Sequence, residues 1–179
     1  MTITIRLIQP ADLPAVVALQ DCCYSDALYE SPALLSQRLQ AAPNSCWLAE
    51  DSAGELLAYL FSYPSINGYV TPLASAFTPA AAPQLLYLHD MAVNPAARGL
   101  GLAKQLLATA KQHALSLGLT KLALVAVQGS APYWQRHGFA VVNELSDSAI
   151  SALASYHGEQ ACYMQLTQIT KETIGTVRN

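Results

Sequence analysis

Residues 88–104 read Leu88-His89-Asp90-Met91-Ala92-Val93-Asn94-Pro95-Ala96-Ala97-Arg98-Gly99-Leu100-Gly101-Leu102-Ala103-Lys104. An apolar run over Leu85–Val93 predicts a strand, and Asn94-Pro95 ends it. A helix is predicted over Arg98–Leu117, opened by glycines and closed by Gly118. Residues without a Cβ let a phosphate approach the backbone closely. The unpaired N–H groups of a first helical turn point at such an anion, and the helix dipole favours its charge. Arg98 beside them adds a fork of charged donors. The stretch therefore reads as a strand leading into an anion cradle. A Walker loop needs G-x-x-x-x-G-K-[ST], which Gly99–Lys104 lacks. A dinucleotide fingerprint needs a third glycine where this chain has Lys104, and it belongs near a first strand rather than mid-chain.

Working outward, the chain has 179 residues, which suits one domain with a sizeable core. Its composition is 53% hydrophobic and 12% charged, the reverse of what disorder requires. Nine Lys+Arg against twelve Asp+Glu give a net charge of −3, too few cations for a basic nucleic-acid footprint. No window offers about 20 uninterrupted apolar residues, so no membrane span is expected. The opening MTITIRLIQP lacks the parts of a secretion signal, and a cytoplasmic protein is expected. Cys22, Cys23, Cys46 and Cys162 have no metal-ligand spacing and read as buried free thiols, with no metal.

The pattern of elements is legible on both sides of the central stretch. Thr2–Leu7 reads as a strand, with a helix from Pro10 to about Cys22 and a second capped by Ser31-Pro32, running to about Ala41. Cys46–Glu50 and Leu56–Tyr63 form a predicted hairpin around Asp51–Gly54. Pro64–Pro83 is a long Pro- and Ala-rich loop, of the kind that serves as a lid or binding loop or has no role. Lys121–Val127 is a near-continuous apolar strand, as expected when both its faces are covered. A short helix over Ala131–His137, a strand over Phe139–Glu144 and a last strand over Gln160–Thr167 complete the pattern. Hairpins in the first half and crossovers in the second predict an α/β mixed sheet with helices on both faces. Residues 1–168 are expected to form one domain, followed by a frayed polar tail over 169–179.

Arg98-Gly99-Leu100-Gly101-Leu102-Ala103, after a strand ending Ala-Val-Asn-Pro, resembles the Q/R-x-x-G-x-G/A signature of the GNAT N-acetyltransferase superfamily. Ala131-Pro132-Tyr133-Trp134-Gln135-Arg136-His137-Gly138-Phe139 resembles that family's short helix ending in Gly-Phe, and Ile5-Arg6 with Asp12 resembles its opening. The resemblance spans about residues 3–167 and leaves Pro64–Pro83 uncovered. It implies a mostly antiparallel sheet of about six or seven strands, with one strand pair splayed for coenzyme A. It implies acetyl transfer from acetyl-CoA to a primary amine. The pyrophosphate would be held by the backbone of Arg98, Gly99, Leu100, Gly101, Leu102, Ala103 and Lys104. The pantetheine arm would pair with Met91, Ala92 and Val93, and an N–H near Met91 would face the thioester oxygen.

Acyl transfer to an amine needs a route for the amine's proton. His89 and Asp90 stand where some family members carry a catalytic carboxylate, and an imidazole can take a proton near neutral pH. Adjacent strand residues face opposite sides unless a bulge intervenes, so the two are not expected to act alike. For the acid that protonates the departing sulfur, the family's tyrosine position holds Trp134, whose indole N–H is no useful acid. Tyr133, Ser130 or water remain as sources of that proton, with departure of the sulfur as an unprotonated thiolate as the further alternative. Gln128 stands where the family commonly has an Asn that contacts the pantetheine. His113 and His137 read as structural, and any of Tyr24, Tyr29, Tyr59, Tyr63 and Tyr69 could line an acceptor pocket. The acceptor is expected to be a small molecule, since no acidic cluster marks a groove for a polybasic peptide. A protein N-terminus or lysine is the alternative, and a CoA-binding module without catalysis is the rival of another class. Either a monomer or a homodimer is compatible with the sequence.

Overall fold

A computed structural model describes residues 2–24, 26–157 and 160–169. Its strands are β1 (Thr4–Leu7), β2 (Cys46–Glu50), β3 (Leu56–Ser65), β4 (Leu85–Val93), β5 (Leu122–Ala126), β6 (Ala140–Val141) and β7 (Cys162–Leu166). Its helices are α1 (Leu13–Cys23), α2 (Pro32–Ala41), α3 (Leu102–Ser116), α4 (Ala131–Arg136) and α5 (Asp147–Ala154). The seven strands form one sheet in the order β1-β2-β3-β4-β5-β7-β6. Every neighbouring pair is antiparallel except β4 and β5, which run parallel. The mixed sheet expected from the sequence is thus present, with its crossover helix α3 between the two parallel strands. Among the described residues no helix is long and apolar enough to cross a membrane.

Each face of the sheet carries its own apolar layer. Val16 and Leu19 of α1, Leu35 and Leu39 of α2, and Ala149 and Ala152 of α5 cover one face with Tyr59, Phe61, Leu85 and Tyr87. Leu102, Leu106, Leu107 and Ala110 of α3 cover the other with Leu60, Leu86, Leu88 and Leu124. Spacing of three and four residues on α3 produces that stripe. At the opening of the chain, the Arg6 guanidinium forks between Asp12 (Nη1 to Oδ2, 2.8 Å) and Glu50 (Nε to Oε1, 3.0 Å), tying β1 to the first helical turn and to β2.

Several elements differ from the sequence-based expectation. The helix expected from Arg98 begins at Leu102, because Gly101 sits left-handed at φ 74° as its N-cap and Pro95–Ala97 forms a separate 3-10 turn. The strand expected over Phe139–Glu144 is reduced to Ala140–Val141. Helix α5 was not expected; Ser146 caps it by accepting from the Ala149 N–H at 3.1 Å. Of the cysteines, Cys46 is buried, Cys23 and Cys162 are half-buried, and Cys22 is exposed rather than buried. Of the tail expected to fray, Ile169 is instead buried with its N–H on the Thr120 carbonyl at 2.8 Å, and residues from 170 onward fall outside the described residues.

Candidate active site

The decisive local feature is a bulge in β4. Phe61 of β3 pairs with Asp90 and the next residue, Ser62, pairs with Leu88, leaving His89 as the extra residue. A bulge reverses the side on which each later residue points. Before it, Leu86 and Leu88 face α3; after it, Met91 and Val93 do. His89 and Asp90 consequently share the opposite face. His89 lies edge-on to Phe77 and alongside Tyr87, and Asp90 accepts from the Tyr59 hydroxyl at 3.0 Å. This bulge is the exception the sequence reading allowed for, and it puts the two neighbours on one side of the strand.

The same bulge changes what the backbone offers. Below it the Leu86 N–H reaches the Lys121 carbonyl at 3.1 Å, toward β5. Above it the Asn94 N–H reaches the Leu57 carbonyl at 2.8 Å, toward β3. Two-residue alternation then aims the N–H groups of Met91 and Val93 away from β3. They find no strand there, because pairing between β4 and β5 stops at Leu88 with Leu124. The result is a gap between parallel strands, opening into a cavity of about 320 Å³. Two carbonyls on the gap side are taken, Met91 by the Tyr24 hydroxyl (2.6 Å) and Val93 by the Cys23 thiol (3.3 Å).

The sequence-selected residues divide around this gap. His89, Asp90, Met91, Ala92, Val93, Arg98, Ala103, Gln128, Ser130, Tyr133 and Trp134 all line it. Gly99, Leu100, Gly101, Leu102 and Lys104 lie in the adjoining turn. Leu102 sends its side chain into the core and Leu100 is exposed, so this turn offers backbone rather than side chains. The first bond of α3 runs from the Gln105 N–H to the Gly101 carbonyl, which leaves the Leu102, Ala103 and Lys104 amides with no acceptor inside the helix. Gly99 and Gly101 have positive φ, and nothing lies within 4 Å of where a Cβ would be. The turn is an open cradle of donors, with Arg98 at its edge. These are the features an acyl-CoA pyrophosphate and pantetheine arm require, and the residues present fit the group.

On the face shared by His89 and Asp90, a buried charge network sets the chemistry. Glu30, 4% exposed, receives both guanidinium nitrogens of fully buried Arg38, at 2.6 and 2.5 Å, and the Ala74 N–H at 2.9 Å. It also bonds His89 Nε2 at 3.0 Å. Burial alone would raise the Glu30 carboxyl, but its interaction with His89 and its pairing with Arg38 outweigh it and hold it well below the usual carboxylate range. An ionised carboxylate only accepts, so the hydrogen of that bond is on Nε2. His89 Nδ1 is then the free ring nitrogen, and it is buried with no partner among the described residues, as is Asp90 Oδ1. Burial raises the Asp90 carboxyl, partly opposed by His89 and the tyrosine hydroxyls.

The loop between Pro64 and Pro83 is the wall behind this network. Arg38 Nε donates to the Ser75 carbonyl (3.0 Å), Tyr156 donates to the Thr71 carbonyl (2.8 Å), and the Leu73 N–H reaches Ser155 Oγ (2.8 Å). Phe77 stacks on Tyr63 at 4.4 Å with the Arg38 guanidinium over its ring. Of the tyrosines set out from the sequence, Tyr24 lines the gap and Tyr59 holds Asp90. Tyr63 is core, and Tyr29 and Tyr69 are exposed. His113 packs against Trp47 and His137 against Tyr133. Trp134 packs edge-on against Phe139 and Tyr133, yet both residues of the Tyr133-Trp134 pair reach the cavity. Burial raises the Tyr133 hydroxyl.

The sequence reading missed Glu30, Arg38, Leu73 and Tyr156. Nothing local marks them, although a Glu and an Arg eight residues apart in an apolar, weakly charged chain were a usable hint.

Comparison with known proteins agrees with this geometry. Residues 13–139 match the model of the acetyltransferase (GNAT) family. The chain belongs to the GNAT family. Among solved structures, the chain is similar to the GphF GNAT-like decarboxylase in complex with isobutyryl-CoA, with a TM-score of 0.74 at 19% identity, covering 92% of this chain and 98% of that one. The ribosomal-protein-S18-alanine N-acetyltransferase from Escherichia coli gives 0.65 at 16% identity over 96% and 97%. Rv2747 from Mycobacterium tuberculosis, in complex with CoA and NLQ, gives 0.66 at 18% identity over 93% and 99%. At these identities the likeness shows the fold. No curated protein matches the chain by sequence. As a GNAT protein it is an acyl-CoA-dependent N-acyltransferase, with acetyl-CoA as co-substrate.

Proposed function

We propose that the protein transfers the acetyl group of acetyl-CoA to the primary amine of a small molecule, with residues 1–168 acting as one catalytic domain. One observation carries the reading. The bulge at His89 sets two buried, unpartnered polar atoms, His89 Nδ1 and Asp90 Oδ1, on one face beside the backbone gap.

Acetyl-CoA supplies a thioester whose acyl carbon an amine can attack, giving an amide and a thiol. The chain's own groups do the rest. The amides of Leu102, Ala103 and Lys104, with Gly99, Gly101 and Arg98, hold the pyrophosphate. Met91, Ala92 and Val93 take the pantetheine arm as an added strand, with Gln128 and Ser130 on the far side of the gap. The Met91 N–H donates where negative charge develops on the acyl oxygen. Asp90 holds the incoming amine as its ammonium ion. His89 Nδ1 takes the proton that frees the nitrogen lone pair, and Glu30 at 3.0 Å stabilises the imidazolium. Tyr133 gives its hydroxyl proton to the departing sulfur, since Trp134 has no acidic proton to offer.

The test is thiol release from acetyl-CoA over a panel of small amines, amino acids and unblocked peptides, with the product identified by mass. Release matched by an N-acetylated small amine is expected. Acetylation of peptides alone would move the assignment to protein termini or lysines. Tight CoA binding with no turnover on the whole panel would make the chain a non-catalytic CoA-binding module.

A further inference from the structure

Behind His89 and Asp90 lies a second, smaller cavity of about 30 Å³. It shares Tyr24, His89, Asp90, Val125 and Val127 with the larger one, so the two meet at the unpartnered carboxylate and imidazole. Its far walls are Leu28, Leu73 and Tyr156. Those walls are fixed in place. Leu73 is held through its N–H by Ser155, and Tyr156 through its hydroxyl by Thr71. Since one water-sized group needs about 10–15 Å³ by this measure, the space admits roughly two or three non-hydrogen atoms.

The charges facing this space are as informative as its size. Glu30 and Asp90 line it, and among the described residues no Lys or Arg does. The neighbouring cation, Arg38, has its guanidinium committed to Glu30 and to the Ser75 carbonyl. Arg98 lines the larger cavity only, at the Gly-rich turn. Once Arg38 cancels Glu30, the charge left to a ligand is that of Asp90. An ammonium ion would be paired there. A carboxylate on the same ligand would be buried against Asp90 and Glu30 with nothing to pair it.

We propose that this cavity is the acceptor subsite and that it takes the short alkyl group of a small aliphatic primary amine carrying no carboxylate, held as its ammonium ion by Asp90. The proposal rests on the acetyl-transfer reading above and narrows it: amino acids and peptide N-termini are excluded, the first by charge and the second by size.

Matched pairs test it. Ethylamine against alanine and propylamine against 2-aminobutyrate each differ by one carboxylate, and an unblocked tripeptide adds bulk. With the full-length protein and acetyl-CoA, kcat/KM from thiol release is expected to be at least about 100-fold higher for each amine than for its carboxylated partner, because like charges brought together cost several kcal/mol. The tripeptide is expected to give no turnover. In Leu73→Ala the wall recedes, and the preferred amine is expected to lengthen while acetyl-CoA affinity stays unchanged. Alanine or 2-aminobutyrate used as well as its amine, or turnover of the tripeptide, overturns the subsite and leaves acetyl transfer standing. No thiol release with any compound overturns acetyl transfer itself, and this proposal with it. Should Leu73→Ala not fold, the matched pairs on the unaltered chain decide alone.

Discussion

Asp90→Asn removes a charge and little else. The side chain keeps its shape, and its Oδ2 position can still accept from the Tyr59 hydroxyl, now 3.0 Å away. What disappears is the partner for an ammonium ion. Two unit charges about 4 Å apart at an effective dielectric of about 20 attract by ~4 kcal/mol. At 1.36 kcal/mol per tenfold, kcat/KM for an amine is expected to fall by ~10²–10³, mostly through KM. Stability should not follow. Exchanging a charged acceptor for a neutral one weakens the Tyr59 bond by ~1 kcal/mol. Relief from burying a charge offsets that. The melting temperature is therefore expected to stay within about 2–4 °C of the parent at neutral pH. Its pH dependence has a definite sign. Burial raises the Asp90 carboxyl above its ordinary value of 3.8, so ionising it opposes folding. That penalty is absent below the ordinary carboxylate range and appears as pH rises through the raised value. The Asn variant should therefore gain on the parent as pH rises from about 4 toward neutrality. Thermal melts across that range, beside amine saturation kinetics and acetyl-CoA titration, read all three quantities. A kcat/KM within threefold of the parent would refute the ammonium role. So would a melting temperature that drops together with activity, since that is the signature of a structural carboxylate.

Three further substitutions probe separate parts of the account. Gly101→Glu places bulk and negative charge in the cradle. No atom lies within 4 Å of its Cβ, so the cost to the fold is strain of about 1–3 kcal/mol at φ +74°, while acetyl-CoA affinity should fall at least ~100-fold by calorimetry. Unchanged affinity would refute the cradle. Glu30→Gln strips the counter-charge from Arg38, which is fully buried, and should cost ~3–5 kcal/mol, or about 6–20 °C in melting temperature. It should also displace the pH profile of kcat at temperatures where the variant is folded, because His89 loses its charged acceptor; an unaltered profile would detach Glu30 from the proton's path. Tyr133→Phe should lower kcat by ~10–100-fold without altering acetyl-CoA affinity, and a kcat equal to the parent's would hand the sulfur's proton to water.

The part of the site that the sequence revealed is the part built from local spacing. Arg98, Gly99 and Gly101 lie within four residues of one another, and a strand running into glycines has few structural meanings. The apolar run along Leu85–Val93 was equally local. The bulge at His89 was not, because register is settled between β3 and β4, and a single extra residue leaves no mark on the pattern of either strand. That one residue decides that His89 and Asp90 share a face and that the Met91 and Val93 amides look into the gap. Glu30 escaped for a related reason: it bonds a histidine 59 residues away. Helix α5 is two turns of mixed serine and apolar residues, too short for a helical period to stand out, though Ser146 was a readable cap. Helix α3 was placed four residues early because the left-handed conformation of Gly101 separates it from the Pro95–Ala97 turn.

The most direct test of the site is residue-resolved amide NMR of the protein titrated with CoA, which a chain of 19.1 kDa permits. The backbone amides of Met91, Val93, Gly99, Gly101, Leu102, Ala103 and Lys104 are expected to shift most and to gain protection from exchange, with β1 and β2 unchanged. Saturable binding that leaves the Met91 and Val93 amides unmoved, with the largest shifts elsewhere, would contradict the assignment of the β4–β5 gap as the place where CoA lies.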